Sequence, residues 1–299
     1  MTVDTVLRLR QICLVAHDLE WTTTLLSSAF DAPVVFRDPR MAAGGFLTNT
    51  HIRLGDSFLE TVCPTDKAWA RSTTQTRLLE RSGDCGYMAI VQVPDVSTAS
   101  RAMAKQGAGG GMVAGDWNVC TGSPGSGLAD VQGGRYELGQ ALAKDADTVS
   151  GINVQFHPRD FGTLAEIQEN WPGHDEFPRN KGTYFPAGNT WQNDVDARPH
   201  GGVTMGFAAV EIAPSRGDPE DICENWKNGL GAGCSVDPLQ PATLKLAAGQ
   251  TMRFVSPGID GRTGVVGVDL WAVPNTARKF DSVEICGVRW TLVDPADAA

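Results

Sequence analysis

Two stretches of the chain share one pattern, and this pattern is the strongest constraint on the fold. Residues 11–18 read QICLVAHD, and residues 88–95 read MAIVQVPD. Each is an apolar segment that ends at an Asp, a residue preferred at helix N-caps. Further along, FLE at 58–60 and GTLAE at 162–166 each place a Glu within an apolar run. The pattern predicts two units of one design that bring polar groups to a shared interior.

Each of these units is predicted to contain a strand, a helix and then three more strands. In the first, we expect a strand near 8–16, a helix near 19–30 capped by Asp18, and strands near 33–37, 46–54 and 57–63. In the second, we expect a strand near 86–93, a helix from Asp95 to Ala104, and strands near 111–114, 151–157 and 162–168. A stretch rich in Gly and polar residues, 120–149, is predicted to be a long inserted loop.

The rest of the chain predicts two weaker copies of the same unit. The third begins near Val203, with a helix near 219–229 that Gly231 can end and a hairpin around Gly249. The fourth keeps its strands but has almost no helix. We therefore predict an α+β fold of four β-α-β-β-β modules, which form two lobes of curved mixed sheet with helices outside. The predicted domains are an N-terminal lobe (1–170), a linker rich in Pro and aromatic residues (171–202) and a structural C-terminal lobe (203–299).

Composition excludes several classes of function. The chain has 299 residues and a net charge of −10, without a cluster of Lys and Arg, so nucleic acid is an unexpected partner. No apolar run approaches about 18 residues, so no membrane span is expected. Seven dispersed cysteines form no C-x-x-C pair, and the N-terminus lacks the features of a secretory signal. These features predict a cytoplasmic protein with reduced thiols.

Four phrases of the sequence resemble a known family. ICLVAHDLEW, DAPVVFR and GDSFLETVCP are similar to segments of the vicinal oxygen chelate superfamily, and FHPRDFGTLAEI is similar to the end of one of its modules. That superfamily includes glyoxalase I, methylmalonyl-CoA epimerase, extradiol dioxygenases and bleomycin-resistance proteins. The resemblance covers 8–64 and 85–168 well and 203–293 less well. It implies paired modules that close a curved sheet around a metal ion.

The resemblance also implies where metal ligands would lie, on the first and last strands of each module. The matching positions here are Gln11, Glu60, Met88 and Glu166. Met88 stands where His is expected, and a thioether is a poor ligand for Zn, Ni, Mn, Mg or Fe ions. His51 and His157, each nine positions before one of the glutamates, are candidates for the missing imidazole.

The residues themselves leave the chemistry open. Two interior carboxylates must be offset by a divalent cation, a bound proton or a nearby Arg, unless both are solvent-facing. With a cation, the ion would stabilise an enolate while Glu166, with Glu60 as the second catalytic candidate, moves a proton. Without one, a Glu can still act as a base, its pKa raised by burial.

Three functions therefore remain as hypotheses. The first is a glyoxalase- or epimerase-like isomerase or lyase that uses a metal ion on a small carbonyl, hydroxy-acid or lactone-like substrate. The second is a non-catalytic small-molecule binding or resistance protein, in which Met88 and Trp117 contact the ligand. The third is a metal-free isomerase or lyase that uses the Glu pair. An extradiol dioxygenase is not expected, since no His-His-Glu triad can be assembled after residue 203, and a homodimer is possible.

Overall fold

The computed structural model describes residues 7–38, 47–65, 74–106, 119–121, 149–156, 158–168 and 202–295. Their helices are α1 (Leu19–Phe30), α2 (Thr74–Ser82), α3 (Val96–Ala104), α4 (Pro158–Phe161) and α5 (Pro219–Leu230). The strands before residue 170 are β1 (Arg8–Val15), β2 (Val34–Asp38), β3 (Leu47–Leu54), β4 (Ser57–Pro64), β5 (Cys85–Gln92), β6 (Val119–Thr121), β7 (Val149–Phe156) and β8 (Leu164–Gln168). The later strands are β9 (Thr204–Ala213), β10 (Cys234–Asp237), β11 (Gln240–Leu246), β12 (Thr251–Phe254), β13 (Gly264–Ala272), β14 (Ser282–Ile285) and β15 (Val288–Val293).

The strands form one large, curved and unclosed mixed sheet with two parts. We call β2-β3-β4-β1-β5-β8-β7-β6 the N-terminal sheet and β10-β11-β12-β9-β13-β15-β14 the C-terminal sheet. In the first, β1 is antiparallel to β5, while β1 is parallel to β4 and β5 to β8. In the second, β9 is antiparallel to β13, while β9 is parallel to β12 and β13 to β15. The α+β class is confirmed.

The predicted helix ends are confirmed where side chains cap them. The Asp18 carboxylate accepts a hydrogen bond from the Trp21 amide, and that of Asp95 accepts one from the Thr98 amide. Helix α5 begins after Asp218, whose side chain caps it, and ends before Gly231, which has φ of 73°. A side chain at an N-cap satisfies an amide that the helix itself cannot, so these short sequences determine where helices begin.

The structure differs from the predicted elements in four places. Helix α2 and strands β6 and β10 were not predicted, and one helical turn, α4, lies between the strands predicted near 151–157 and 162–168. Between β13 and β14 the chain has no helix, as predicted for the fourth module. The strand expected at 111–114, most of the 120–149 insertion and the linker up to residue 201 lie outside the described residues, and the division into lobes stays a prediction.

The hydrophobic core lies between the sheet and helices α1, α3 and α5. Its largest fully buried side chains include Trp226, Trp290, Phe30, Phe161 and Phe207. The Trp226 indole donates a hydrogen bond of 2.9 Å to the Phe161 carbonyl, so the polar atom of this buried ring is satisfied. No helix in the described ranges is long and apolar enough to cross a membrane.

Among the described residues, two of the contacts that join the parts of the sheet are especially close. The first is the pairing of Gly86 on β5 with Val265 on β13, where a Cβ on Gly86 would lie 2.6 Å from the Val265 carbonyl oxygen. Only glycine permits this approach of two backbones. The second is the side chain of Gln250, which accepts a hydrogen bond of 2.7 Å from the Leu9 amide and donates to the carbonyls of Leu9 and Phe207.

Candidate functional site

One face of the N-terminal sheet carries the polar residues that the sequence predicted. In the strand register, Glu60 on β4 lies opposite His51 on β3 and opposite Cys13 on β1. Cys13 is in turn opposite Met88 on β5. One step along the strands, Ile90 on β5 lies between Gln11 and Glu166. We call Gln11, Cys13, Glu60, Met88 and Glu166 the carboxylate face.

Glu60 is buried and is held by neutral hydrogen-bond donors. One carboxylate oxygen, Oε2, accepts from the Gln11 amide at 2.8 Å and from the Cys13 thiol at 2.9 Å. The other, Oε1, accepts from the Asn49 amide at 2.6 Å and lies 3.8 Å from His51 Nε2. No Lys or Arg of the described ranges lies within ion-pair distance of Glu60. Several donors fix the orientation of this carboxylate without neutralising its charge.

Glu166 is the second buried carboxylate of the face, at 4% exposure. Its Oε2 accepts a hydrogen bond of 2.8 Å from the Gln155 amide on β7. Three strand spacings of about 4.8 Å lie between β4 and β8, so the two glutamates do not touch across the sheet. Both still act on Cys13: burial, then the Glu60 charge and hydrogen bond, and then the Glu166 charge raise the pKa of its thiol. The carboxylates share one buried environment.

A β-bulge brings a tyrosine to the same face. Cys13 pairs with Met88 but the next residue, Leu14, pairs with Gly86, so Tyr87 is an extra residue of β5. A bulge changes which way the neighbouring side chains point. Tyr87 and Met88 therefore both pack in the cluster that contains Cys13. Burial above all, followed by the nearby Cys13 and Glu60 charges, raises the pKa of the Tyr87 phenol, which keeps its proton.

The structure places most of the predicted site residues together. Gln11, Glu60, Met88 and Glu166 all lie on the carboxylate face, and His51 is the cross-strand neighbour of Glu60. His157 and Trp117 lie outside the described residues. Four further members of this environment were not predicted from the sequence. They are Cys13, Asn49, Tyr87 and Gln155, of which Cys13 shares the alternation of Gln11 and could have been found from it.

The donor set does not fit the predicted four-ligand metal site as it stands. Both oxygens of Glu60 are already occupied by protein donors at 2.6–2.9 Å. Met88 offers only a thioether, a poor partner for hard or borderline cations. Within the described ranges, no three or more His, Cys, Asp and Glu side chains come together as a metal site would require. We therefore derive no step through a metal ion.

On the corresponding face of the C-terminal sheet, arginines neutralise the carboxylate charges. Glu211 on β9 pairs with Arg253 on β12 at 3.2 Å and also with Arg289 on β15. Arg253 in addition contacts Asp269 on β13 at 2.5 Å. Each of these carboxylates has an arginine, whereas Glu60 has none. This contrast locates the chemically unusual environment in the N-terminal sheet.

The buried thiols predict that the protein loses stability at alkaline pH. Burial, with smaller contributions from neighbouring charges, raises the pKa of Cys85 to about 11 and that of Cys223 to about 12, and that of Cys13 is raised too. An unfolded thiol loses its proton near pH 8.5, so above this pH the folded state binds more protons than the unfolded state and stability falls. We expect each thiol to lower the free energy of unfolding by up to about 1.4 kcal/mol per pH unit.

Urea denaturation between pH 7 and pH 10.5 measures this slope. Cys223→Ala, which removes one such group, should give a shallower slope than the unsubstituted protein. A free energy of unfolding that stays constant up to pH 10.5 would contradict the expectation.

Comparisons with known proteins support the fold. A scan against protein-family models gives no match, and a search of curated proteins gives none. Among solved structures, a mutant of 4-hydroxymandelate synthase from Streptomyces coelicolor matches with a TM-score of 0.55 and 11% identity, covering 90% of this chain and 71% of that one. A methylmalonyl-CoA epimerase from Mycobacterium tuberculosis matches with a TM-score of 0.37 and 13% identity over 56% of this chain and 92% of its own. Together with the sheet topology, the match over most of the chain shows that this protein has the fold of the vicinal oxygen chelate superfamily.

Proposed function

We propose that the protein is an isomerase or lyase that moves a proton next to the carbonyl group of a small substrate. Glu166 is the proposed base, and Glu60 is a second carboxylate on the same face of the sheet, three strands away. The observation that carries this proposal is the pair of buried carboxylates on one face, of which Glu60 accepts its hydrogen bonds from neutral donors and has no Lys or Arg of the described ranges within ion-pair distance. Burying a charge without a counter-charge is costly, and such an arrangement is typical of functional sites.

The proposed chemistry uses only groups of this chain. Glu166 takes a proton from the carbon beside the carbonyl, and the electron pair of the broken C–H bond forms an enolate. With an α-hydroxy carbonyl substrate, the protonated Glu166 then gives the proton to the former carbonyl carbon while the hydroxyl proton passes to the enolate oxygen, which yields the isomer. In a lyase, the enolate instead expels a leaving group. Tyr87, whose phenol keeps its proton, is a suitable hydrogen-bond donor for the enolate oxygen.

The metal-assisted version remains a separate prediction. Gln11, Glu60 and Glu166, with His51 or His157, would be the ligands, and a divalent ion would supply polarisation of the carbonyl. That version requires Glu60 to exchange protein donors for a metal. The geometry favours the metal-free version, since those donors already satisfy Glu60.

Solvent deuterium exchange tests the proposed function. Small ketones, 2-hydroxy acids, lactones and acyl thioesters are incubated in D₂O with protein treated with EDTA, and exchange at the carbon beside the carbonyl is followed by proton NMR. We expect exchange above the buffer rate for at least one compound. Exchange only after adding Zn²⁺, Ni²⁺ or Mn²⁺ would support the metal-assisted version. Binding without exchange would support the non-catalytic alternative, and neither binding nor exchange across the set would contradict the proposal.

The remaining sequence predictions concern organisation. The same parallel and antiparallel pairing in both parts of the sheet supports an internal repeat of β-α-β-β-β modules. The homodimer and the cytoplasmic location stay predictions.

A further inference from the structure

A cavity of about 120 Å³ lies beside the start of β5. Helix α2 supplies Arg77, Leu78 and Arg81 to its lining, and strand β5 supplies Gly86 and Tyr87. The other lining residues come from the α4–β8 segment and from the C-terminal half of the described chain. They are Pro158, Gly162, Thr163, Leu164, Ser215, Thr263 and Gly264.

The charge of this cavity is opposite to that of the chain. Arg77 and Arg81 are four residues apart on α2, so their side chains lie on one side of the helix and both reach the cavity. Arg81 has no ion-pair partner in the described ranges. The Arg81 charge is close to strand β5, since it opposes the rise that burial and Asp84 cause in the pKa of Cys85. In a protein of net charge −10, two guanidinium groups at one cavity favour a bound anion.

The cavity adjoins the carboxylate face. Tyr87 and Leu164 line the cavity, and both pack in the same hydrophobic cluster as Cys13 and Met88. A molecule anchored at the arginines would therefore lie against Tyr87, the proposed hydrogen-bond donor to the enolate oxygen. Anchoring a remote group in this way positions the reacting atoms.

We infer that the Arg77–Arg81 cavity binds an anionic group, a carboxylate or a phosphate, and that this group belongs to the substrate. The second part of this inference rests on the proposed function and narrows the substrate class to small carbonyl compounds that carry such a group. Glu60 and Glu166 alone would disfavour an anionic ligand. The arginines of α2 would attract an anionic group of the ligand to a position away from these two carboxylates.

Titration of the protein with inorganic phosphate and with acetate, followed by NMR, tests the anion site. We expect saturable binding of at least one anion, weakened at least tenfold in the double variant Arg77→Gln/Arg81→Gln and weakened by added NaCl. The preferred anion identifies the group as a phosphate or a carboxylate. Arg37→Gln is the matched control, since Arg37 pairs with Glu20 of α1 and does not line the cavity. Both side chains of the double variant are exposed, so it should fold, and its melting temperature checks this.

The outcomes separate this inference from the proposed function. No binding of either anion, or equal binding by the double variant, would overturn the anion site even if deuterium exchange is observed. Binding that depends on the arginines without any exchange would leave the anion site standing and count against the enzyme proposal.

Discussion

Glu166→Gln is expected to lower the rate of deuterium exchange by a factor of about 10²–10⁴, the usual contribution of a general base. The substitution keeps the size of the side chain but removes the group that accepts the proton. Glu166 is 4% exposed and its oxygen contacts the Gln155 amide, so the variant can retain its packing. The rate is measured by proton NMR in D₂O with the best compound of the tested set.

Two further variants make this result specific. Glu284→Gln changes an exposed strand glutamate far along the chain and should leave the exchange rate unchanged. Glu60→Gln should instead reduce stability, because the NH2 group of the new amide would face the amide donor of either Gln11 or Asn49. An exchange rate of Glu166→Gln within tenfold of the unsubstituted rate would show that Glu166 is not the base.

Gln250→Leu is expected to lower the free energy of unfolding by about 3–5 kcal/mol, since it removes three hydrogen bonds and leaves buried polar groups unpaired. Pairing between β1 and β4 begins at Gln11, so the Leu9 backbone has no strand on that side. The Gln250 amide takes the place of a strand there, accepting from the Leu9 amide and donating to the Leu9 carbonyl. Leucine fills the same space without either function.

Urea denaturation at pH 7.5 measures this loss. Gln240→Leu is the matched control, because Gln240 is exposed on β11, and it should change the free energy of unfolding by less than about 0.5 kcal/mol. A loss below about 1 kcal/mol for Gln250→Leu would mean that water or a rearranged backbone replaces the amide.

Elements with a local chemical signal were predictable from the sequence. Helices α1, α3 and α5 begin after Asp18, Asp95 and Asp218, each of which caps its helix. Helix α2 has only two apolar residues, Leu78 and Leu79, so its short sequence gives little periodicity. It was missed, and with it the arginines that line the cavity.

The site was predictable only in part. The resemblance implied that Glu60 would lie on the last strand of its module, and the structure pairs it there with Cys13 on β1 and His51 on β3. Asn49 was not identified, although its amide donates to Glu60, because a hydrogen bond between strands depends on side-chain rotamers that a sequence pattern does not show. Cys13 was expected only as one of the reduced thiols, whereas the structure shows that it is buried and donates a hydrogen bond to Glu60.

Because of the bulge at Tyr87, side chains from both halves of β5 point to the same face of the sheet although their residue numbers differ in parity. Up to Tyr87 the odd-numbered positions point inwards, and from Met88 onwards the even-numbered ones do. Deleting one residue next to the tyrosine would remove the bulge and make side chains alternate regularly along β5. The tyrosine would then point to the opposite face of the sheet, although no other side chain had been changed. The positions of the cavity and the carboxylates relative to each other therefore depend on the number of residues in β5. A related protein could have every side chain named here and still lack this arrangement if its β5 lacked the bulge.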